Sequence, residues 1–173
     1  MVLVGFMGSG KSTIGPLLSK ALGWRFRDLD RVIEAREGRS IPEMFRDDGE
    51  AAFRAKEDEI ARELLQETEL VLAPGGGWSC REGRMESLDE ETLSIWLQLS
   101  VEGIWRRTAR RRGERPLLDV EHPQERIAEL LAEREPFYRR AKWWVNVGRH
   151  SPKQVVRLIV QQLESNPERP LRA

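Results

Sequence analysis

The sequence is short of the features that direct a chain to membranes, to the oxidising exterior of the cell or to nucleic acid. Its single cysteine, Cys80, cannot form an internal disulfide, which suits a reducing compartment such as the cytoplasm. No apolar run approaches the roughly 20 residues that cross a bilayer. Neither sign of charge predominates, because 29 basic residues balance 29 acidic ones. We therefore expect a soluble, cytoplasmic protein with no nucleic-acid or membrane partner. We also expect it to be a monomer.

With 173 residues the chain is long enough for one domain with a substantial core. Short apolar runs alternate with longer segments of helical periodicity. The predicted strands are Met1–Val4, Trp24–Arg27, Leu70–Ala73, Leu93–Leu99 and Trp143–Val147. The predicted helices are Ser12–Leu22, a stretch from Arg31 to Gln66 broken near Gly38 and Asp48, a weaker one at Arg81–Glu90, then Val101–Arg112, Pro123–Glu135 and Pro152–Glu164. This alternation predicts an α/β fold with a central parallel sheet and helices on both faces.

Local signals mark several of the predicted boundaries. Ser40 followed by Glu43 has the spacing of a capping box, and Ser151 before Pro152 has the pattern of an N-cap followed by proline at the first helical position. We expect residues 1–164 to form a single domain. Residues 165–173 carry two prolines and little apolar content, so they are expected to be a flexible tail.

The segment from Gly5 to Ser12 reads G-F-M-G-S-G-K-S and matches the phosphate-binding pattern G-x-x-x-x-G-K-[ST]. Its glycines let backbone N–H groups turn inward around phosphate oxygens, Lys11 adds a positive charge near the β- and γ-phosphates, and the Ser12 hydroxyl can bind Mg²⁺. The pattern follows a predicted strand and opens a predicted helix, which is the context it requires. The residues expected to bind the nucleotide here are Gly8, Ser9, Gly10, Lys11, Ser12 and Thr13.

Other segments separate the classes of protein that carry such a loop. A GTPase should contain the base-reading motif N-K-x-D, which is absent, and an AAA-type motor needs a longer chain. Five further segments, in order along the chain, resemble motifs of the shikimate kinase family. They are Phe26–Asp30 (F-R-D-L-D), Gly49–Glu57, Gly75–Gly77, Arg115–Leu118 and Arg134–Tyr138. With the phosphate loop, the resemblance runs from Gly5 to about Leu163, which is nearly the whole chain.

The resemblance implies a three-layer P-loop kinase fold with a mobile lid over residues 106–120 and a substrate-binding helical region over residues 31–66. It implies ATP and Mg²⁺ as cofactors and shikimate as the small-molecule acceptor. The expected reaction transfers the γ-phosphate of ATP to the 3-hydroxyl of shikimate, on the route to chorismate and the aromatic amino acids.

Asp28 and Asp30 follow the second predicted strand, and strand ends on this fold face the bound nucleotide. By resemblance, Asp28 belongs with Ser12 in the Mg²⁺ shell, whereas Asp30 binds substrate hydroxyls and accepts the proton. No carboxylate follows the third predicted strand directly, which favours Asp28 as the metal ligand. The expected catalytic residues are Lys11, Asp30 and Arg115. A pair of solvated loop acids is the alternative interpretation of the two aspartates.

Two arginines, Arg54 and Arg134, indicate an anionic acceptor, because guanidinium groups bind carboxylates in a bidentate manner. Glu50 and Glu57 lie about one helical turn from Arg54 and can orient it across one helix face. A salt-bridged surface helix is the alternative interpretation of this charged segment.

The triplet Gly75–Gly77 suits a close approach of the backbone to a ligand. By resemblance, Gly76 and Gly77 donate backbone N–H groups to substrate oxygens. The bulky Trp78 directly after the triplet departs from the family pattern, and it is the tryptophan that could reshape the substrate pocket.

Residues 106–115 contain six arginines. Nucleic-acid binding is one interpretation of such a run, but no aromatic residue interrupts it and the whole chain is neutral, so a solvated helix end with lid residues fits better. By resemblance, Arg115 reaches over the phosphates when the lid closes, Arg107 packs near the adenine, and Pro152 loosely matches a second adenine contact. His150 is expected to be a loop residue without a catalytic role.

Two other functions are compatible with the phosphate loop. A kinase of the same fold that acts on another small hydroxy-acid, such as gluconate, would not require both Arg54 and Arg134. A non-catalytic nucleotide-binding relative should have lost Lys11, Asp30 or one of the two arginines, and all of them are present.

Overall fold

The structure is a computed structural model that describes residues 1–109, 116–118, 120–165 and 171. Five strands form one sheet in the order β2-β3-β1-β4-β5, and every pair is parallel. The strands are β1 Val2–Val4, β2 Arg25–Asp28, β3 Leu70–Ala73, β4 Ser94–Gln98 and β5 Trp143–Asn146. The α/β fold with a parallel sheet is thus confirmed, and all five predicted strands are present.

Seven helices flank the sheet in the part of the chain that the structure describes. They are α1 Lys11–Leu22, α2 Leu29–Glu37, α3 Ile41–Asp47, α4 Gly49–Leu65, α5 Val101–Thr108, α6 Pro123–Tyr138 and α7 Pro152–Ser165. Helix α1 packs against α7 and against β2 and β3, while α5 packs against α6. No helix among these described segments is long and apolar enough to cross a bilayer.

The order of the strands positions the site. Strand β1 lies in the middle of the sheet, between β3 and β4, and is almost completely buried. Its register pairs Val2 with both Leu72 and Ser94. Because all strands are parallel, the loops that follow them emerge at one edge of the sheet. Strands β2 and β3 lie on one side of β1, and β4 and β5 lie on the other. Such a switch point opens a crevice at the carboxyl ends of the strands.

The helix boundaries follow the local signals in the sequence. The predicted breaks near Gly38 and Asp48 divide the long helical stretch into α2, α3 and α4. At the start of α3, the Ser40 hydroxyl accepts a hydrogen bond from the backbone N–H of Glu43, and the Glu43 carboxylate accepts one from the backbone N–H of Ser40. The predicted capping box is therefore confirmed. Before α7, the Ser151 hydroxyl likewise accepts from the backbone N–H of Gln154.

The predicted helix at Arg81–Glu90 is wrong, because this segment is a series of turns. Gly83 adopts a left-handed φ of 77°, which interrupts helical geometry. The side chains of Arg81 and Arg84 reach across to Asp58 on α4 and hold the turns against that helix.

Parts of the predicted lid and tail lie outside the described residues, namely 110–115, 119, 166–170 and 172–173. Within the predicted lid, α5 ends at Thr108 and Pro116–Leu118 form a 3₁₀ turn. Within the predicted tail, the carbonyl of Leu171 accepts a hydrogen bond from the backbone N–H of Trp144 at 2.7 Å.

Candidate active site

The phosphate loop connects the end of β1 to the first turn of α1. Gly8 and Gly10 adopt left-handed φ values of 80° and 102°, which only glycine accommodates without strain. The loop thereby brings backbone N–H groups to the start of α1, where the helix dipole favours an anion. Lys11 Nζ donates to the carbonyl of Gly5 at 2.7 Å, so its ammonium lies across the loop.

A cavity of about 740 Å³ opens beside this loop at the carboxyl ends of the strands. Most of the residues that the sequence predicts for the nucleotide and the metal line it, together with part of the predicted acceptor site. These lining residues are Gly8, Gly10, Lys11, Ser12, Thr13, Asp28, Asp30, Gly76, Arg107 and Pro152. Ser9 is completely buried and does not line the cavity.

Ser12 and Asp28 face each other on the wall of this cavity. The Ser12 hydroxyl donates to Asp28 Oδ2 at 2.8 Å, which joins the first turn of α1 to the end of β2. Both are hard oxygen donors, and Mg²⁺ is usually held by one or two such groups together with phosphate oxygens and water. In the described segments, no cluster of three or more His, Cys, Asp or Glu side chains could hold a metal by itself. The Ser12–Asp28 pair therefore fits a magnesium ion that phosphate also coordinates.

Asp30, in the first turn of α2, is a more deeply buried carboxyl group. Burial raises its pKa from 3.8 to about 6, with further increases from the neighbouring charges of Asp28 and Glu57, while Lys11 opposes them. A β-carbon built on Gly75 would lie 2.7 Å from Asp30 Oδ1. A larger residue at Gly75 would therefore require the carboxyl group of Asp30 or the loop after β3 to shift.

The glycine triplet brings the predicted acceptor residues together. A β-carbon built on Gly76 would lie 3.8 Å from Arg134 Nη1, and one built on Gly77 would lie 3.9 Å from Arg54 Nη2. Three successive glycines thus face Asp30, Arg134 and Arg54 in turn. Residues from α2, α4 and α6 converge on one short loop, although they are far apart in the sequence.

Aromatic rings and carboxylates hold the guanidinium of Arg54. It lies over the rings of Phe45 and Phe53, at 5.6 and 5.2 Å from their centroids. Its Nη1 donates to Glu57 Oε2 at 2.9 Å and its Nη2 to Glu50 Oε1 at 3.2 Å. Both glutamates that the sequence predicts to orient Arg54 therefore contact its guanidinium.

Arg134 and the glycine triplet are supported from the other side. The guanidinium of Arg134 lies over the ring of Phe6, 5.3 Å from its centroid. Tyr138, one turn further along α6, donates its hydroxyl to the carbonyl of Gly76 at 2.9 Å. The tyrosine is completely buried, so this contact fixes the backbone of the triplet relative to α6.

Arg107 connects the phosphate loop to the loop after β5. Its Nη1 contacts the carbonyls of Gly8 and Ser9 at 3.3 Å each, and its Nη2 donates to the carbonyl of Val147 at 2.7 Å. Pro152, at the start of α7, lines the same side of the cavity. Arg115, the remaining predicted catalytic residue, lies outside the described residues.

Trp78, which departs from the family pattern after the glycine triplet, packs into the core. The 3₁₀ turn Trp78–Cys80 directs the indole into the core, where it is 2% exposed, and Trp78 does not line the cavity. Conversely, sequence reasoning gave no binding role to several residues that do line it, namely Met7, Ile14, Arg31, Pro74, Gly75, Val147 and His150. The position of His150 could have been inferred from the sequence, because it stands just before the capped start of α7, where Pro152 is predicted to contact the adenine.

Comparisons with known proteins agree with this geometry. The family model "Shikimate kinase" matches residues 7–164. A shikimate kinase from Methylococcus capsulatus is 42% identical over 168 residues, which is 96% of this chain and 93% of that protein. The structure of a shikimate kinase from Acinetobacter baumannii in complex with shikimate superposes with a TM-score of 0.87 at 36% identity, covering 97% of this chain and 94% of that one.

A gluconokinase from Sinorhizobium meliloti has a TM-score of 0.54 at 21% identity, over 90% of this chain and 86% of that one, which is a likeness of fold alone. The match to the family model spans the phosphate loop from Met7 onward, the aspartate pair, the glycine triplet and both arginines. The chain therefore belongs to the shikimate kinase family of ATP-dependent phosphotransferases that act on an alcohol group.

Proposed function

We propose that this chain transfers the γ-phosphate of ATP to the 3-hydroxyl of shikimate within the cavity beside the phosphate loop. The observation that carries the proposal is the convergence of Asp30, Arg134 and Arg54 on the glycine triplet. Such a site offers two cations for a carboxylate and one carboxyl group for hydroxyls, with no side chain on the intervening loop. Shikimate carries this combination of groups.

On the nucleotide side, the loop from Gly8 to Thr13 would hold the phosphates with backbone N–H groups and Lys11. Ser12 and Asp28, which are 2.8 Å apart, would hold Mg²⁺, which when bound neutralises charge on the phosphates. Arg107 and Pro152 would contact the adenine, since both line the cavity near the loop after β5.

On the acceptor side, Arg54 and Arg134 would bind the carboxylate, and Gly76 and Gly77 would donate backbone N–H groups to substrate oxygens. Asp30 would orient the attacking hydroxyl and accept its proton. A pKa raised to about 6 suits this role, because the group stays ionised near neutral pH and is still basic enough to take a proton.

The remaining roles follow from the family resemblance. Arg115 would reach over the phosphates from a lid spanning residues 106–120, and closure of such a lid would exclude water during transfer. We propose further that residues 1–164 are a single domain and that the enzyme acts as a monomer in the cytoplasm.

The first test is a coupled ADP-release assay with shikimate, quinate and gluconate as acceptors. The proposal requires a clear preference for shikimate. Gluconate as the preferred acceptor would replace the proposal with a hydroxy-acid kinase of the same fold, and no turnover with any acceptor would favour a non-catalytic relative.

The second test addresses the carboxylate clamp. Arg134→Ala should weaken shikimate binding on the order of tenfold to a hundredfold, the loss expected for one charge-assisted contact, and leave ATP binding nearly unchanged. Arg139→Ala is the matched control, because Arg139 directly follows the same helix but contacts Glu135 and the rings of Trp96 and Trp144.

An analogue of shikimate without the carboxylate completes the cycle. It should bind poorly to the wild-type protein and lose little more affinity in Arg134→Ala, because the missing group is the partner of the arginine. Additive losses would mean that the arginine and the carboxylate never meet, and the acceptor assignment would lose its main support.

A further inference from the structure

Glu57 carries a buried carboxylate beneath the acceptor side of the cavity. Its side chain is 2% exposed. One oxygen, Oε2, accepts hydrogen bonds from two different arginines, Arg54 Nη1 at 2.9 Å and Arg81 Nη2 at 3.0 Å. A buried carboxylate requires compensating positive charge, and here two guanidinium groups share that task.

Arg81 reaches this carboxylate from the loop that carries the glycine triplet. Arg81 directly follows the 3₁₀ turn Trp78–Cys80. Its side chain extends from there to α4. Its Nη1 donates to Asp58 Oδ2 at 3.0 Å, and its Nη2 also contacts Asp58 Oδ1. Because Asp58 is the next residue after Glu57, one guanidinium bridges two successive carboxylates of α4.

The charge of Asp58 is also shared, since Arg84 Nη2 contacts its Oδ2. The chain of contacts therefore runs from Arg54 through Glu57 and Arg81 to Asp58 and Arg84. Across this network three guanidinium groups face the buried or half-buried carboxylates of Glu57 and Asp58 and the exposed carboxylate of Glu50. Within it, Arg54 is the member closest to the glycine triplet, and its buried carboxylate partner is Glu57.

Without Arg81, Glu57 would have Arg54 as its only hydrogen-bonded cation among the described residues. A one-to-one pair of this kind would draw the guanidinium toward the glutamate and cancel most of its charge. The exposed Glu50 already contacts the same group from the solvent side, but water screens that interaction. The charge that Arg54 can offer to a substrate anion thus depends on how much of the charge of Glu57 is taken up elsewhere.

We propose that Arg81 is a positioning residue that shares the charge of Glu57 and so keeps Arg54 available for the carboxylate of the acceptor. The inference rests on the proposed shikimate-binding role of Arg54 and extends it to a residue that contacts no substrate. It also gives a reason for the turns that replace the predicted helix after Cys80, because those turns bring Arg81 to α4.

The test compares the dissociation constants of shikimate, its analogue without the carboxylate, and ATP in the full chain, measured by titration calorimetry. Arg81→Met should weaken shikimate binding on the order of tenfold, and the binding of the analogue and of ATP by less than about twofold. Arg81→Lys keeps the charge and should stay within about threefold of wild type for all three ligands.

Arg84→Met is the matched control, because Arg84 belongs to the same turns and contacts Asp58 but not Glu57. It should bind all three ligands as the wild-type protein does. Arg81→Gln, which is also neutral but can donate one hydrogen bond, replaces Arg81→Met if that variant does not fold. If neither neutral variant folds, Arg81 is a structural residue and the proposal is overturned.

Three further outcomes are decisive. The role of Arg81 would be overturned if Arg81→Met lost equal affinity for shikimate and its analogue, or lost affinity for neither. It would also be overturned if Arg81→Lys bound shikimate as weakly as Arg81→Met. Each of these results would leave the clamp by Arg54 and Arg134 intact. A wild-type protein that binds shikimate and the analogue equally well would instead remove the clamp itself, and with it the proposed function on which this inference rests.

Discussion

Lys11 places its ammonium against the carbonyls of Gly5 and Phe6, at 2.7 and 3.4 Å, in the middle of the phosphate loop. A positive charge at this point can follow the γ-phosphate into the transition state. We expect Lys11→Ala to lower kcat on the order of a hundredfold to a thousandfold while the circular dichroism spectrum stays unchanged. Lys20→Ala, an exposed change on the same helix, should leave the ADP-release rate unaltered. A folded Lys11 variant with normal turnover would contradict the loop assignment.

The partly buried carboxyl group of Asp30 gives a prediction about stability. Its pKa in the folded protein is about 6, above its ordinary value of 3.8, so the folded state binds this proton more tightly than the unfolded state does. Stability therefore falls as the pH rises from about 4 to about 6. Above that window the ionised group costs on the order of 1–3 kcal/mol. We expect Asp30→Asn to raise the free energy of unfolding near pH 7.5 and at the same time to lower kcat.

Denaturant unfolding of the ligand-free protein at about pH 5 and about pH 7.5 checks this prediction. The gain from Asp30→Asn should be larger at the higher pH, because the wild-type carboxyl group is fully ionised only there. An Asn variant that is less stable than the wild type at both values would contradict the unfavourable burial of the charge.

At this scale, residues inside contiguous motifs could be predicted from the sequence, and residues that act across space could not. Lys11, Asp30 and Arg54 each lie in a motif with a recognisable spacing, and the structure places all three around one site. Arg81 is 24 positions from Glu57, and no local pattern links the two. The contact of Tyr138 with Gly76 spans 62 positions and was missed for the same reason.

Among the secondary-structure elements, short apolar runs predicted the central strands well, because parallel strands inside a sheet are buried on both faces. Strand β3 is the clearest case, since all four of its residues are buried. The helix predicted after Cys80 is wrong because charged residues at helix-like spacing do not by themselves make a helix. There, the left-handed Gly83 and the ion pairs of Arg81 and Arg84 with α4 determine the backbone path.

The packing of α1 on the sheet depends on one residue without a side chain. A β-carbon built on Gly15 would lie 2.1 Å from the ring of Phe26, so α1 approaches β2 closely only with glycine at this position. We expect Gly15→Ala to lower the free energy of unfolding by about 1–3 kcal/mol, as overpacking does. The higher helix propensity of alanine, worth about 1 kcal/mol, acts in the opposite direction.

Urea denaturation measures this effect, and Lys20→Ala on the exposed face of α1 is the control that should stay within about 0.5 kcal/mol of wild type. The same change in Gly15 should also reduce turnover, because the phosphate loop leads directly into α1. A variant that is more stable than the wild type would show that helix propensity, and not the contact with Phe26, governs this position.

For the molecule as a whole, the alternation of strands and helices predicted a parallel sheet but not the order of its strands. That order depends on which long-range pairs form, such as Val2 beside both Leu72 and Ser94. The order in turn decides that the loops after β1, β2 and β3 share one cavity. The sequence therefore indicated the chemistry of the groups in the site before it could indicate their arrangement.

Because the phosphate loop and the arginines at the glycine triplet are different parts of the proposed site, the folded molecule should respond to each ligand separately. A ligand that binds only the folded state stabilises it by about 2.7 kcal/mol at a hundred times its dissociation constant, which raises the unfolding midpoint by roughly 5–10 °C for a domain of this size. We expect Mg²⁺–ATP and shikimate each to produce such a shift in the wild-type protein. Lys11→Ala should reduce the shift caused by the nucleotide and keep the shift caused by shikimate.

Arg134→Ala should reduce the shift caused by shikimate and keep the shift caused by the nucleotide. The reason is that Arg134 lies over Phe6 on the acceptor side and does not line the nucleotide cavity. Differential scanning fluorimetry of the two variants with each ligand, and with Arg139→Ala as the control, measures all the combinations in one experiment. If either variant lost both shifts, the two ligands would not occupy distinct halves of the site. The assignment of ATP to the phosphate loop and of shikimate to the glycine triplet would then be wrong.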